Sequence, residues 1–256
     1  MTEIVLPQQA VSQGTVVEQS RAVAEVAAAV RVAQDFPRDE TRAVEQMKST
    51  CSRLSVAQRA FYEVPNRGAG LSIHAARELA RIWGNCDYGV RELRRDDEHG
   101  VSEMQVWAWD QETNVRSTRS FIQPHERMKG KARTKLTDLS DIYLNNQNVG
   151  ARAVRECIFS MLPGWFVAEA EGALRATLQR GDGKPVTQRR LDAIAAFAEH
   201  GVTEAQLEDY IGRKSGQWAL DHLAKLARAH ASITVDGIPV TEFFPEQVAQ
   251  LPEVTA

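Results

Sequence analysis

The chain has 256 residues and a net charge of -3, with 31 Lys and Arg against 34 Asp and Glu. That length holds one large domain or a domain with an appendix, and 43% hydrophobic with 25% charged residues is ordinary for a soluble globular protein. The acidic balance excludes a uniformly basic coat, so any affinity for a polyanion must come from local clustering.

The sequence divides into a flexible tail over 1–14, a core domain over 15–180, a linker over 181–186 and a helical module over 187–256. Residues 1–10, "MTEIVLPQQA", carry an early acid and no basic region before an apolar core. With no apolar run near the ~18 residues of a membrane span, a cytoplasmic protein is expected. Three scattered cysteines without a CxxC pair favour a reducing compartment over a disulfide framework or zinc knuckle. No HExxH occurs, and no metal or other cofactor is expected.

From Thr15 to Phe36 valines recur among alanines, which predicts a long helix with a narrow surface suited to close packing against another helix or subunit. Pro37 ends it, and a second helix follows over about 38–54. Residues 62–70, "YEVPNRGAG", read as a loop. A helix then runs from an N-cap at Ser72 to a C-cap at Gly84.

Three strands come next, "DYGVRELRR", "VSEMQVWAWD" and "VRSTRSFIQP", joined by short turns into an antiparallel meander. The middle strand puts Ser102, Met104, Val106 and Ala108 on one face and Glu103, Gln105, Trp107 and Trp109 on the other. Asp138 caps a helix or helix pair reaching about Leu162, and Pro163 and Gly164 break it before a helix over 165–179. "RGDGKP" reads as a linker. Three short helices follow over 187–230, with Thr187, Thr203 and Gly216 at their starts. From Pro185 onward the chain has 6 Lys and Arg against 10 Asp and Glu, counted from the sequence. The expected fold class is α+β: helices packed on a three-stranded or larger antiparallel meander, with a small all-helical C-terminal module.

Catalytic motifs are scarce. "GDGKPVT" lacks the first glycine of a P-loop, and Pro185 takes the Ser/Thr slot. Asp96, Asp97, Glu98 and His99 read as a polar hairpin turn rather than a nuclease metal cluster. No GxSxG elbow marks a serine nucleophile.

The charge pattern is more informative. In "HERMKGKARTK", residues 125–135, cations fall on every second position: Arg127, Lys129, Lys131, Arg133 and Lys135. In extended form these five share one face at about 6.6 Å intervals, a pitch that lets successive cations meet successive phosphates and release counterions. A mobile solvated hairpin is the plain alternative. In "NVGARAVRECIF", Arg152 and Arg155 share a helical face while Val149, Val154, Ile158 and Phe159 supply the buried side. Arg116 and Arg119 fall on opposite faces of their strand. Platform strand, ribbon and helix together suggest a groove. Trp107 and Trp109 are expected to pack against a helix, with base stacking as the alternative.

This order of elements resembles the phage single-strand DNA annealing proteins, the RecT/Redβ/Erf-like superfamily. Gly150, Ala151, Arg152, Arg155 and Phe159 approximate the small-residue, cation and aromatic pattern of that family's central helix. The stretch from "EHGVTEAQLEDY" to "VTEFF" is similar to the module appended to many members. The resemblance spans about residues 15–245 in organisation. It implies a non-enzymatic protein of phage homologous recombination. Such a protein holds single-stranded DNA and the annealed duplex intermediate by the phosphate backbone. It pairs complementary strands without ATP and assembles as a homo-oligomeric ring or filament. Its C-terminal module is implied to contact a single-strand binding protein or an exonuclease. A single-stranded nucleic-acid binding or replication accessory protein without annealing activity is the second reading.

Overall fold

The structure, a computed structural model, describes residues 13–64, 68–129 and 132–245. The architecture is α+β, as expected. A three-stranded antiparallel sheet, β3 (Cys86–Asp96), β4 (Val101–Asp110) and β5 (Arg116–Pro124), is ordered as a meander. Its even face on β4 carries Ser102, Met104, Val106 and Ala108, all buried under α5 (Leu139–Met161). Asp138 caps this helix, its side chain accepting from the Ser140 and Asp141 amides at 2.8 and 3.1 Å. Residues 142, 146, 150, 154 and 158 form its buried stripe. Gly150 is required there, because a Cβ would stand 2.7 Å from Val90 Cγ1.

Around this layer pack α2 (Glu40–Cys51), α3 (Leu54–Arg59), α4 (Ile73–Trp83) and α6 (Gly164–Arg180). Met47, Leu79, Trp83, Ile158, Phe166 and Leu174 fill the shared core. The caps of α4 are those expected: Ser72 Oγ accepts from the Ala75 amide, and Gly84 has φ 77°. Residues 62–70 are not a simple loop. β1 (Phe61–Val64) and β2 (Gly68–Leu71) pair as a hairpin, Phe61 with Leu71 and Val64 with Gly68. The Pro and Asn that suggested a loop fall at positions 65 and 66, outside the described residues, and the small residues of β2 give no alternating apolar pattern.

The first helix, α1 (Gln13–Asp35), is one residue from the expected end and stands apart. Residues 16–28 are all exposed, and among the described side chains of the helix only Ala33 is buried. Val16, Val23 and Val30 recur at seven-residue intervals, so they share a stripe along it.

The helices after Gly181 have a core of their own, formed by Phe197, Leu207, Trp218, Leu226 and Phe243. They are α7 (Val186–Ala198), α8 (Glu204–Ile211), α9 (Leu220–Thr234) and the single-turn α10 (Val240–Phe243). Thr203 and Gln206 make a reciprocal capping box on α8. Two starts differ from expectation. Pro185 rather than Thr187 precedes α7, and Gly216 lies in a 3-10 turn, Ser215–Gln217, that buries Trp218 before α9 begins. This helical unit sits against β1: Tyr210 Oη donates to Glu63 Oε1 at 2.7 Å, Arg228 Nε to Glu63 Oε2 at 3.1 Å, and the Glu63 amide to Ser232 Oγ at 3.0 Å.

Candidate nucleic-acid interface

The cation-rich stretch folds back on itself. β6 (Glu126–Lys129) pairs with β7 (Ala132–Lys135), placing Glu126 opposite Lys135, Arg127 opposite Thr134 and Met128 opposite Arg133. Cross-strand partners share a face. Arg127 therefore lies on one face, and Arg133 and Lys135 lie on the other with Glu126 and Met128. The single five-cation face expected from an extended ribbon does not form, because the reversal opposes odd positions to even ones. Lys131 lies outside the described residues, as does the side chain of Lys129.

The charges themselves are displayed. Arg127 and Arg133 keep 57% and 75% of their side-chain surface exposed, and Lys135 is exposed. Their nearest carboxylates are loose: Arg127 to Asp141 at 4.0 Å and Arg133 to Glu126 at 3.6 Å. Exposed pairs of this kind are worth about 0–1 kcal/mol, so they do not hold the guanidiniums against a competing anion.

The hairpin is set against the first turns of α5, where Asn145 Nδ2 donates to the Glu126 carbonyl at 3.3 Å. A buried polar cluster fixes its base. Asn146 Nδ2 donates to Ser102 Oγ at 3.0 Å, Ser102 Oγ to Glu92 Oε1 at 2.7 Å, and His125 Nε2 meets the same hydroxyl at 2.8 Å. The His125 amide and carbonyl bridge Gly100 and Leu136, at 2.7 Å each. Ser102, His125 and Asn146 are at most 2% exposed, so this serine–histidine contact is enclosed and acts as a latch joining β3, β4, hairpin and helix. Arg95, by hydrogen bonding, and Ser102 hold the Glu92 carboxyl below its ordinary range against the opposing effect of burial. No motif in the sequence marked this cluster, because its members come from four elements.

Asp141, Asn145, Asn148, Arg152 and Arg155 follow one side of α5 at three- and four-residue spacing. Arg152 is exposed, about 16 Å along the axis from Asp141. Arg155 is more committed. Its guanidinium lies 4.3 Å from the Tyr62 ring and 2.9 Å from Glu156, with 17% of the side chain exposed. Val154 and Ile158 are buried as expected, while Val149 and Phe159 are half-buried. Arg119, opposite Val106, lies exposed on the α5 side of the edge strand. Next to the hairpin, Tyr143 and Leu144 are 54% and 56% exposed on α5, and Met128 is 56% exposed on β6. Nothing in the sequence marks Tyr143 as exposed, since it adjoins Ile142 of the buried stripe on the same helix.

Trp107, Trp109 and Arg116 are not part of this side. They occupy the odd face of the sheet, turned away from α5, so of the platform strand's two arginines only Arg119 lies on the side of the ribbon and helix, and the tryptophans do not. Trp109 is 8% exposed, with Nε1 donating to Asn114 Oδ1 at 3.0 Å and the Arg116 guanidinium 5.8 Å from its ring. Trp107 is half-buried by strand neighbours rather than by a helix.

The Asp96–His99 region is a turn, as expected, with the His99 amide and Nδ1 each 3.0 Å from Asp96 Oδ1. Among the described residues, no group of three or more His, Cys, Asp or Glu is placed to hold a metal ion, and no helix is long and apolar enough to cross a membrane. The cysteines are free thiols. Burial pushes Cys51 up to about 11 and Cys86 to about 12, leaving both protonated at neutral pH. No protein-family model, curated protein or solved structure matches the chain.

Proposed function

We propose that this chain binds single-stranded DNA along the α5 side of its sheet and anneals complementary strands without ATP, as a phage recombination protein. One observation carries the reading: the β6–β7 hairpin displays Arg127, Arg133 and Lys135 with only two loosely placed carboxylates nearby. Such cations are free to exchange counterions for phosphates. Arg152 and Arg119 extend the positive side along the helix and the edge strand, and Tyr143 offers an exposed ring beside the hairpin. Phosphate contacts position a strand without reading its sequence, which suits annealing of any complementary pair.

Homo-oligomerisation is supported by α1, on which Val16, Val23 and Val26 are exposed to solvent. Ala22, Ala27 and Ala29 flank these valines and permit close approach of a second helix. The acidic helical unit is assigned to a protein partner of the recombination apparatus, a single-strand binding protein or an exonuclease, within the cytoplasm of the infected cell.

The test is the salt dependence of oligothymidylate binding. Replacing Arg127, Lys129, Lys131, Arg133 and Lys135 by Gln is expected to weaken binding and flatten log K against log[salt], each lost phosphate contact removing about 0.7 from the slope. An unchanged slope overturns the assignment of the hairpin to phosphate.

A further inference from the structure

The sheet has a second solvent-exposed surface. Its odd face presents Asp87, Gly89 and Arg91 on β3, Glu103, Gln105, Trp107 and Trp109 on β4, and Arg116, Thr118, Ser120 and Ile122 on β5. The edge strands are exposed on this face: Arg91, Arg116, Thr118 and Ser120 all meet solvent, and Ile122 is 60% exposed. The indole of Trp107 is laid across β3. Its six-membered ring fills the space above Gly89, where a Cβ would come within 2.6 Å of Cζ2 and 2.7 Å of Cη2. Trp107 Nε1 donates to Asp87 Oδ2 at 2.6 Å, and the Arg91 guanidinium lies 5.3 Å from the ring centroid.

The indole, held by Asp87 and packed over Gly89, is a rigid, half-exposed ring on the central strand. An aromatic on the central strand, an arginine on each edge strand and short side chains between them match the requirements for an unpaired nucleobase. The ring supplies stacking, and Arg91 and Arg116 supply positive charge for the flanking phosphates. The face is mixed in charge: Asp87 accepts from the Trp107 N–H beside the ring and Glu103 lies two rows away, opposite Ile122, while Arg91 and Arg116 stand on the exposed edge strands.

We infer that the odd face of the sheet is a base-stacking platform for single-stranded nucleic acid, centred on Trp107 and separate from the phosphate-binding α5 side. This rests on the proposed function for the nature of the ligand, but its geometry is independent of the hairpin. It gives the molecule two strand-contacting surfaces with different chemistry, one reading charge and the other the faces of bases.

The experiment compares two probes of equal length: an oligonucleotide carrying 2-aminopurine and an abasic oligodeoxyribose phosphate. Wild-type protein is expected to change 2-aminopurine fluorescence and to bind the base-bearing probe more tightly than the abasic one. Trp107→Ala is expected to lose the fluorescence change and to weaken the base-bearing probe about 5- to 150-fold. It should leave abasic binding and the salt slope unchanged. Trp107→Phe, which keeps a ring over Gly89, should recover most of the affinity and guards against misfolding, with a thermal melt on each variant. If Trp107→Ala and Trp107→Phe treat the two probes as wild type does, the platform is overturned while the hairpin assignment stands. If instead Trp107→Ala dissociates an oligomer with base binding intact, the face belongs to a second copy and the inference fails. Wild-type protein that binds neither probe sinks the proposed function itself.

Discussion

Gly150 of α5 lies against Val90 of β3 so closely that a methyl group there would meet Val90 Cγ1 at 2.7 Å and Cγ2 at 3.0 Å. A β-branched side chain on a strand has little rotamer freedom with which to yield. Gly150→Ala gains about 1 kcal/mol of helix propensity but forces an overpacking cost of about 1–3 kcal/mol. Net destabilisation is expected, read as a lower denaturation midpoint. Adding Val90→Ala should recover part of the loss, and the coupling between the two sites should be favourable in a double-mutant cycle.

Arg38 and Asp110 form a second long-range tie, between the residues preceding α2 and the end of β4. Arg38 Nη1 and Nη2 donate to the two Asp110 oxygens at 2.7 and 2.5 Å, with 6% and 5% of the side chains exposed. The guanidinium also stacks 4.7 Å from the Trp83 ring. Burial pushes the Asp110 carboxyl up, but hydrogen bonds from Arg38 and Thr113 and the Arg38 charge outweigh it and hold the group below its ordinary range. A carboxylate lowered by folding adds stability that is fully present above its unfolded pKa of about 4 and is lost as pH falls through the lower folded value. Asp110→Asn should cost about 1–3 kcal/mol at neutral pH by removing the bidentate partner of Arg38, whose Nε still donates to Glu112 Oε2 at 3.1 Å. It should also flatten the acid limb of the stability–pH curve, measured by urea melts between pH 7 and pH 3.

The α1 stripe gives a prediction with two readouts. Val23 and Val26 are 71% and 54% exposed, so Val23→Glu with Val26→Glu should leave folding stability within about 0.5 kcal/mol. The same pair should reduce the oligomer mass in analytical ultracentrifugation. An unchanged mass would show that α1 is not the assembly surface.

Much of the sheet was legible because its signals are local. The alternation in "VSEMQVWAWD" set both faces of β4, and Ser72, Asp138 and Thr203 each announced a helix by the cap they form. The β1–β2 hairpin was not legible, since Gly68, Ala69 and Gly70 offer no alternating apolar pattern and its pairing is visible only in three dimensions. The same limit governed the site. Five cations at a spacing of two were plain in the sequence, but a reversal between positions 129 and 132 decides which face each occupies. Trp107 and Arg152 lie on opposite sides of the sheet, and a one-dimensional reading cannot tell on which side of the meander α5 will lie.

Strand pairing tests the central claim most directly. Complementary fluorescent oligonucleotides should anneal faster with the protein than without it, in the absence of ATP. Replacing Arg127, Lys129, Lys131, Arg133 and Lys135 by Gln should abolish the acceleration while the fold, followed by circular dichroism, is retained. Binding of single strands with no acceleration of pairing, or acceleration that survives loss of all five cations, would contradict the account.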